Sequence, residues 1–131
     1  MSPKKITTRK ADRSVARGRR DVAAKYLEVA ELVATEDGPV VNVAVGLAVL
    51  AGIAAGDAVC IAATGERYSG QDHAAAADLL EAVDGNLGRR LRSLIALKPA
   101  SHYGDALLKV PDRTRALRAA RVLVEAAAAR T

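Results

Sequence analysis

VVNVAVGLAVLAGIAAGDAVCIAAT, residues Val40 to Thr64, decides the fold. It is apolar on nearly every side, and Asp57 is its only charge. As a helix its 25 residues would run about 37 Å, enough to cross a small domain. A helix greasy all round has to be buried, in lipid or in protein. Asp57 interrupts the run and no basic clusters bracket it, so the expectation is a buried central helix and no membrane span. Gly46, Gly52 and Gly56 each weaken a helix, and their presence points to neighbouring helices approaching the backbone closely.

The helices expected around this rod follow from periodicity and punctuation. Residues 1–13 read as a basic arm, disordered to about Asp12, and 14–131 as one helical domain. The first helix runs from about Ser14 to Ala34 with Val15, Val22, Tyr26, Val29 and Val33 as its inward stripe. Glu36-Asp37-Gly38-Pro39 then turns the chain into the rod, which ends at a Thr64-Gly65 cap. Ser69 and Asp72 resemble a capping box opening a helix from Gly70 to Val83, with Ala76, Leu79, Leu80 and Val83 buried. After the turn Asp84-Gly85-Asn86 a fourth helix buries Leu87, Leu91, Leu94 and Ile95, and ends at Lys98 beside Pro99. A linker, Pro99 to Asp105, leads to a last helix opened by Pro111 with Asp112 as N-cap; Ala116, Ala119, Ala120, Leu123 and Ala127 face inward, and Arg113, Arg115, Arg118 and Arg121 mostly outward. The sum is an all-α fold, an antiparallel up-down bundle of four long helices plus one shorter helix.

Composition agrees. Half of the 131 residues are hydrophobic, many of them alanine, with no Phe or Trp, which favours helices over sheets. The single Cys60 excludes an internal disulfide, and with two His there is no zinc-ligand set, so no metal and no cofactor is expected. A reduced, cytoplasmic setting fits, and no apolar segment follows the basic N-terminus within signal-peptide distance.

Charge is unevenly placed. Residues 1–20 hold Lys4, Lys5, Arg9, Lys10, Arg13, Arg17, Arg19 and Arg20 against Asp12 alone, a surplus of +7 in a chain whose total is +5. Two readings stand: an arm that binds nucleic-acid phosphates without sequence preference, and a solvated tail that aids solubility.

Groups capable of chemistry gather in two helix-joining turns. One holds Arg67 and His73; the other holds Lys98, His102 and Tyr103. Together with Asp57 they can converge in one polar pocket suited to metal-free RNA cleavage. A neutral His takes the proton from a ribose 2′-hydroxyl, and Arg or Lys offsets charge growing on the phosphate. His73 in the first turn of a helix leans neutral, because the dipole disfavours imidazolium there. Tyr103 can stack on a base. The structural alternatives are a hydrogen-bonded core His, an Asp57–Arg67 pair settling a buried charge, and a core Tyr103.

Leu91, Leu94, Leu97, Lys98, His102, Tyr103 and Gly104, between an Ala-rich central helix and an Ala-rich closing helix, resemble a segment of the HEPN superfamily. AGIAAGDAVC followed by GERYSGQDH is also similar to small actinobacterial and actinophage HEPN-like proteins. The resemblance covers residues 14–128. It implies a helical bundle, usually a homodimer with a shared cleft, and either a metal-independent endoribonuclease with Arg, four to six residues, then His, or a toxin with Arg, four residues, then Tyr, paired with an antitoxin. Arg67 and His73 match the first spacing, earlier in the chain than the family's usual site. Lys98 and Tyr103 match the second with Lys for Arg, which lacks the planar fork that grips phosphate. Two functions are therefore expected of this sequence: RNA handling, as a ribonuclease or toxin component, or a non-catalytic helical module that dimerises, binds another protein, or binds nucleic acid through its arm.

Overall fold

The computed structural model describes residues 6–104 and 107–131. In chain order these form β1 (Thr8–Lys10), α1 (Arg13–Leu32), α2 (Val40–Thr64), β2 (Glu66–Tyr68), α3 (His73–Val83), α4 (Gly85–Ala96), α5 (Lys98–Tyr103) and α6 (Val110–Arg130). The chain is mostly helical, as an all-α reading requires.

α2 is the axis. Its bounds are those of the apolar run, and Gly65, at φ +75°, ends it in the left-handed cap that glycine adopts without penalty. The helix is long and apolar enough to cross a membrane, but 78% of its most apolar window is buried inside the protein. α1 packs antiparallel to α2, α4 also runs antiparallel to it, and α6 runs parallel to it on a third side. The glycines mark where neighbours come closest. A methyl group on Gly52 would lie 2.5 Å from Leu94 of α4 and 3.3 Å from Leu123 of α6, and one on Gly56 would lie 3.1 Å from Leu91. α3 and α4 form a tight hairpin, with Gly88 against the backbone of Glu81 and Arg92 bonded to Asp78 and Glu81.

Several expectations are corrected. α1 does not turn its valines inward: Ala16, Ala23, Leu27 and Ala30 are buried, whereas Val15, Val22 and Val29 remain 38%, 41% and 38% exposed. The alanine surface of α2 (Ala44, Ala48, Ala51, Ala55, Ala58) favours small residues on the partner, because only they let two helices approach closely. Residues 6–12, expected as a disordered arm, are structured. β1 pairs antiparallel with β2, Thr8 opposite Tyr68, Arg9 opposite Arg67 and Lys10 opposite Glu66, and the Asp12 carboxylate caps α1 by accepting from the Val15 N–H at 3.0 Å.

α3 begins at His73 rather than Gly70. The Asp72 carboxylate, accepting from the Ala74 N–H at 3.0 Å, is the cap, and Ser69 stays outside the helix. Asp84 closes α3 and caps α4 through Leu87 N–H at 3.1 Å, so these two helices are about three turns each and only α1, α2 and α6 are long. Lys98 does not end α4, and Pro99 does not open a linker. Proline is tolerated in a helix's first turn, and residues 98–103 form α5. Asp105, the end of the expected linker, lies outside the described residues. Asp112 is inside α6, at its third position, where its carboxylate accepts from the Lys109 N–H at 2.9 Å. Arg113 is buried, not outward, and its guanidinium donates to the Glu36 carbonyl, tying α6 to the α1–α2 turn.

Candidate functional site

Asp57 and His102 lie at different levels along α2, so the expected polar side chains do not all meet in one pocket. At the C-terminal half of α2, Asp57 accepts from Arg19 of α1, Nε at 3.2 Å, with the guanidinium also 3.1 Å away through its terminal nitrogen. Burial pushes the Asp57 carboxyl above its ordinary range, and this outweighs the opposing pull of Arg19 and then Arg67. Arg67, on β2, is close enough to act on Asp57 but forms no salt bridge with it among the described residues, and its Nε is buried with no hydrogen-bond partner. Arg19, not Arg67, thus settles the buried charge. One turn on, burial and then Asp57 push the Cys60 thiol up to about 12, so it stays protonated and inert.

The second group joins two elements. His73 opens α3, and Lys98 opens α5 beyond the far end of the hairpin, which returns the chain to its starting level. The imidazole pKa is lowered, first by burial and then by the Lys98 ammonium, with Asp72 opposing. The neutral form expected of His73 is therefore favoured, with burial as the main cause and the Lys98 cation as the next.

His102 follows Lys98 by four residues in α5, on the same side of that short helix. It covers Gly46, where a methyl group would sit 3.6 Å from its Nε2. Gly46 precedes Asp57 by eleven residues, about 16 Å of helix, so His102 and Asp57 do not share a pocket. Asn42, which the sequence reading passed over, fixes this end. Its Nδ2 donates to the Ala100 carbonyl at 3.3 Å and its Oδ1 accepts from the Leu108 N–H at 2.8 Å, holding both flanks of the α5–α6 connection to α2. The signal available was a lone amide in an apolar run. Tyr103 closes α5, and its side chain lies outside the described residues, as do Lys4 and Lys5.

Basic residues of β1, the start of α1 and the end of α6 form a further group. Arg9 and Arg67 are opposite each other across the β1–β2 pair, so two cations share one face of the ladder. Beside it the start of α1 and the end of α6 enclose a pocket of about 200 Å³ lined by Arg13, Ala16, Arg17, Ala62, Arg130 and Thr131. Arg13 and Arg17 are exposed and make no ion pair with a described residue; Arg130 is bonded to Asp84 at 2.7 Å and holds that carboxyl below its usual range, helped by the Leu87 N–H. Arg19 is engaged by Asp57 and Arg20 by Asp21, at 2.9 Å. Of the arm's candidates, then, Arg9, Lys10, Arg13 and Arg17 are turned to solvent. Arg130 was not singled out in the sequence, since it lies more than 100 residues from the arm.

No protein-family model and no curated protein matches the chain.

Proposed function

We propose that this chain is an HEPN-like, RNA-handling helical protein that holds the phosphate backbone at its basic end. The observation that carries the reading is the pocket in which Arg13 and Arg17 of α1 meet Arg130 of α6. Guanidinium groups present forked donors that match phosphate oxygens, and two of these three are otherwise unengaged. The Arg9–Arg67 opposition adds two further cations on one face of the β1–β2 pair. Fluorescence anisotropy with a labelled single-stranded RNA tests this. The wild type binds, and the Arg13→Gln, Arg17→Gln double variant binds about tenfold or more weakly. Equal affinity of the two proteins overturns the proposal. Deleting residues 1–20 is not a usable test, because it would remove the first two turns of α1.

A second reading, metal-independent RNA cleavage, is favoured by one observation, a neutral His73 with the Lys98 ammonium nearby. In that reading His73 accepts the proton of a ribose 2′-hydroxyl and the freed oxygen attacks the adjacent phosphorus. Lys98 offsets the charge on the phosphoryl oxygens while the 5′-oxygen leaves, taking up a proton, and a 2′,3′-cyclic phosphate remains. Asp57, engaged by Arg19, stands outside this pair. Total RNA incubated in EDTA with wild type or His73→Gln distinguishes the outcomes: cleavage by the wild type alone supports the reading, and intact RNA in both ends it. Within the same proposal, growth arrest on expression would assign the protein as the toxin of a toxin–antitoxin pair, relieved by its antitoxin.

A further inference from the structure

The exposed valines of α1 lie seven residues apart: Val15, Val22 and Val29. A spacing of seven keeps side chains on one nearly straight seam, the arrangement by which two helices run along each other. This seam borders α2, and the two helices form one continuous apolar face. On α2, Val43 is 54% exposed, and Leu47, Leu50 and Ile53 are half-buried; spacings of three and four residues place all of them on the side that ends at Asp57, beside Arg19. Tyr26 of α1, also half-buried, lies next to the seam. Two helices about 30 Å long and about 10 Å across give a face of about 600 Å², near the ~800 Å² that each partner contributes to a stable interface. No described residue covers it.

We propose that this face is where a second copy of the chain docks, α1 against α1 in antiparallel fashion about a two-fold axis through Val22. The sequence of α1 is self-complementary in that arrangement. The axis sets Val15 against Val29 of the second copy and Val22 against its own counterpart. Asp21 and Lys25 flank the seam on the same side, about 100° and 60° round from Val22, and both are strongly exposed. The same axis brings Lys25 to within about two residue rises, ~3 Å, of register with Asp21 of the second copy, twice over by symmetry. Opposite charges on the rim then favour the antiparallel direction; a parallel two-fold pairing would put the Asp21 and Lys25 of the two copies on opposite flanks of the seam, where they could not pair. The arginine pocket stays open. Arg13 lies nine residues from Val22, about half a turn round α1, so dimer contacts and phosphate contacts occupy opposite sides of the helix.

Sedimentation equilibrium of the full chain between about 1 and 100 µM tests this. The wild type sediments at twice the 13.6 kDa chain mass. Val22→Lys, which places two ammonium groups at the axis, weakens association about 100-fold or more. Lys25→Asp weakens it about tenfold, and Asp21→Lys combined with Lys25→Asp restores it to within about threefold, because the pair is re-formed with its signs exchanged. Val22, Asp21 and Lys25 are all exposed, so far-UV circular dichroism stays near that of the wild type, which separates loss of association from loss of fold. A wild type that is monomeric at 100 µM overturns the proposal. So does a dimer that Val22→Lys leaves intact, or a monomer that floats with lipid vesicles and no longer does so as Val22→Lys, which would assign the face to a membrane surface.

Discussion

Arg19 and Asp57 are bonded between α1 and α2, Nε to Oδ2 at 3.2 Å, at the one ionised position of an otherwise apolar helix. The side chains are 30% and 14% exposed. The carboxyl is nevertheless harder to ionise than an ordinary aspartate, because its desolvation exceeds what Arg19 and Arg67 return. The pair therefore sets the register between α1 and α2 more than it stabilises them.

That balance predicts an asymmetry between single and double substitutions. Arg19→Met leaves a buried carboxylate without its donor and lowers unfolding free energy by about 1–2 kcal/mol, less than for a fully buried pair because water still reaches the guanidinium. Arg19→Met with Asp57→Leu removes the charge and fills the space with carbon, and stability returns to within about 1 kcal/mol of the wild type or exceeds it. Urea denaturation at pH 7 measures both.

His73 makes stability depend on pH in a stated direction. Its pKa is lower in the folded chain than the ordinary 6.5 of the unfolded chain. The unfolded state thus takes up more protons as pH falls through 6.5, and stability fully present above that value is lost below it. Between pH 7.5 and pH 5.5 the urea midpoint of the wild type falls further than that of His73→Gln. Equal falls would mean that the imidazole is as easily protonated in the folded chain as in the unfolded one.

Gly52 sits where α4 and α6 both press on α2. Alanine is the better helix former by about 1 kcal/mol, but its methyl would meet Leu94 Cδ1 at 2.5 Å, inside a fully buried layer. Leu94 or its helix has to move, so Gly52→Ala destabilises by about 1–2 kcal/mol despite the gain in propensity. Gly56→Ala, with its nearest neighbour at 3.1 Å, changes stability by less than about 1 kcal/mol. Thermal unfolding of the two variants side by side reads the difference.

These glycines were legible in the sequence, and so were the bounds of α2 and the buried leucines of α4, because an uninterrupted apolar run ended by glycine admits few alternatives. The facing of α1 was not. Its valine and alanine stripes lie about 100° apart, and hydrophobicity alone selects the valines. The alanine-rich surface of α2 reverses the choice, since close approach needs small side chains on both helices. Arg19 was missed as the partner of Asp57 for the same reason: it lies in the valine stripe, at the α2 border. β1 is three polar residues whose partner strand lies 58 positions away, so no local pattern announces it. α5 was concealed by Pro99, which punctuates a chain as readily as it opens a helix. Of the candidate site, the neutral tendency of His73 could be argued from its place in the first turn of a helix, but not the Lys98 ammonium that adds to it, which is distant in sequence. The Arg13–Arg17–Arg130 pocket could not, because it exists only once α6 folds back beside the start of α1.

The salt dependence of RNA binding tests the central claim most directly. Each arginine that neutralises a phosphate of a single strand contributes about 0.7 to the slope of log affinity against log salt. Titrations of a labelled single-stranded RNA between about 50 and 200 mM salt are predicted to give a steep slope for the wild type, and one shallower by about 1.4 for Arg13→Gln, Arg17→Gln. Identical slopes for the two proteins, or a wild type that fails to bind at 50 mM salt, would contradict the account.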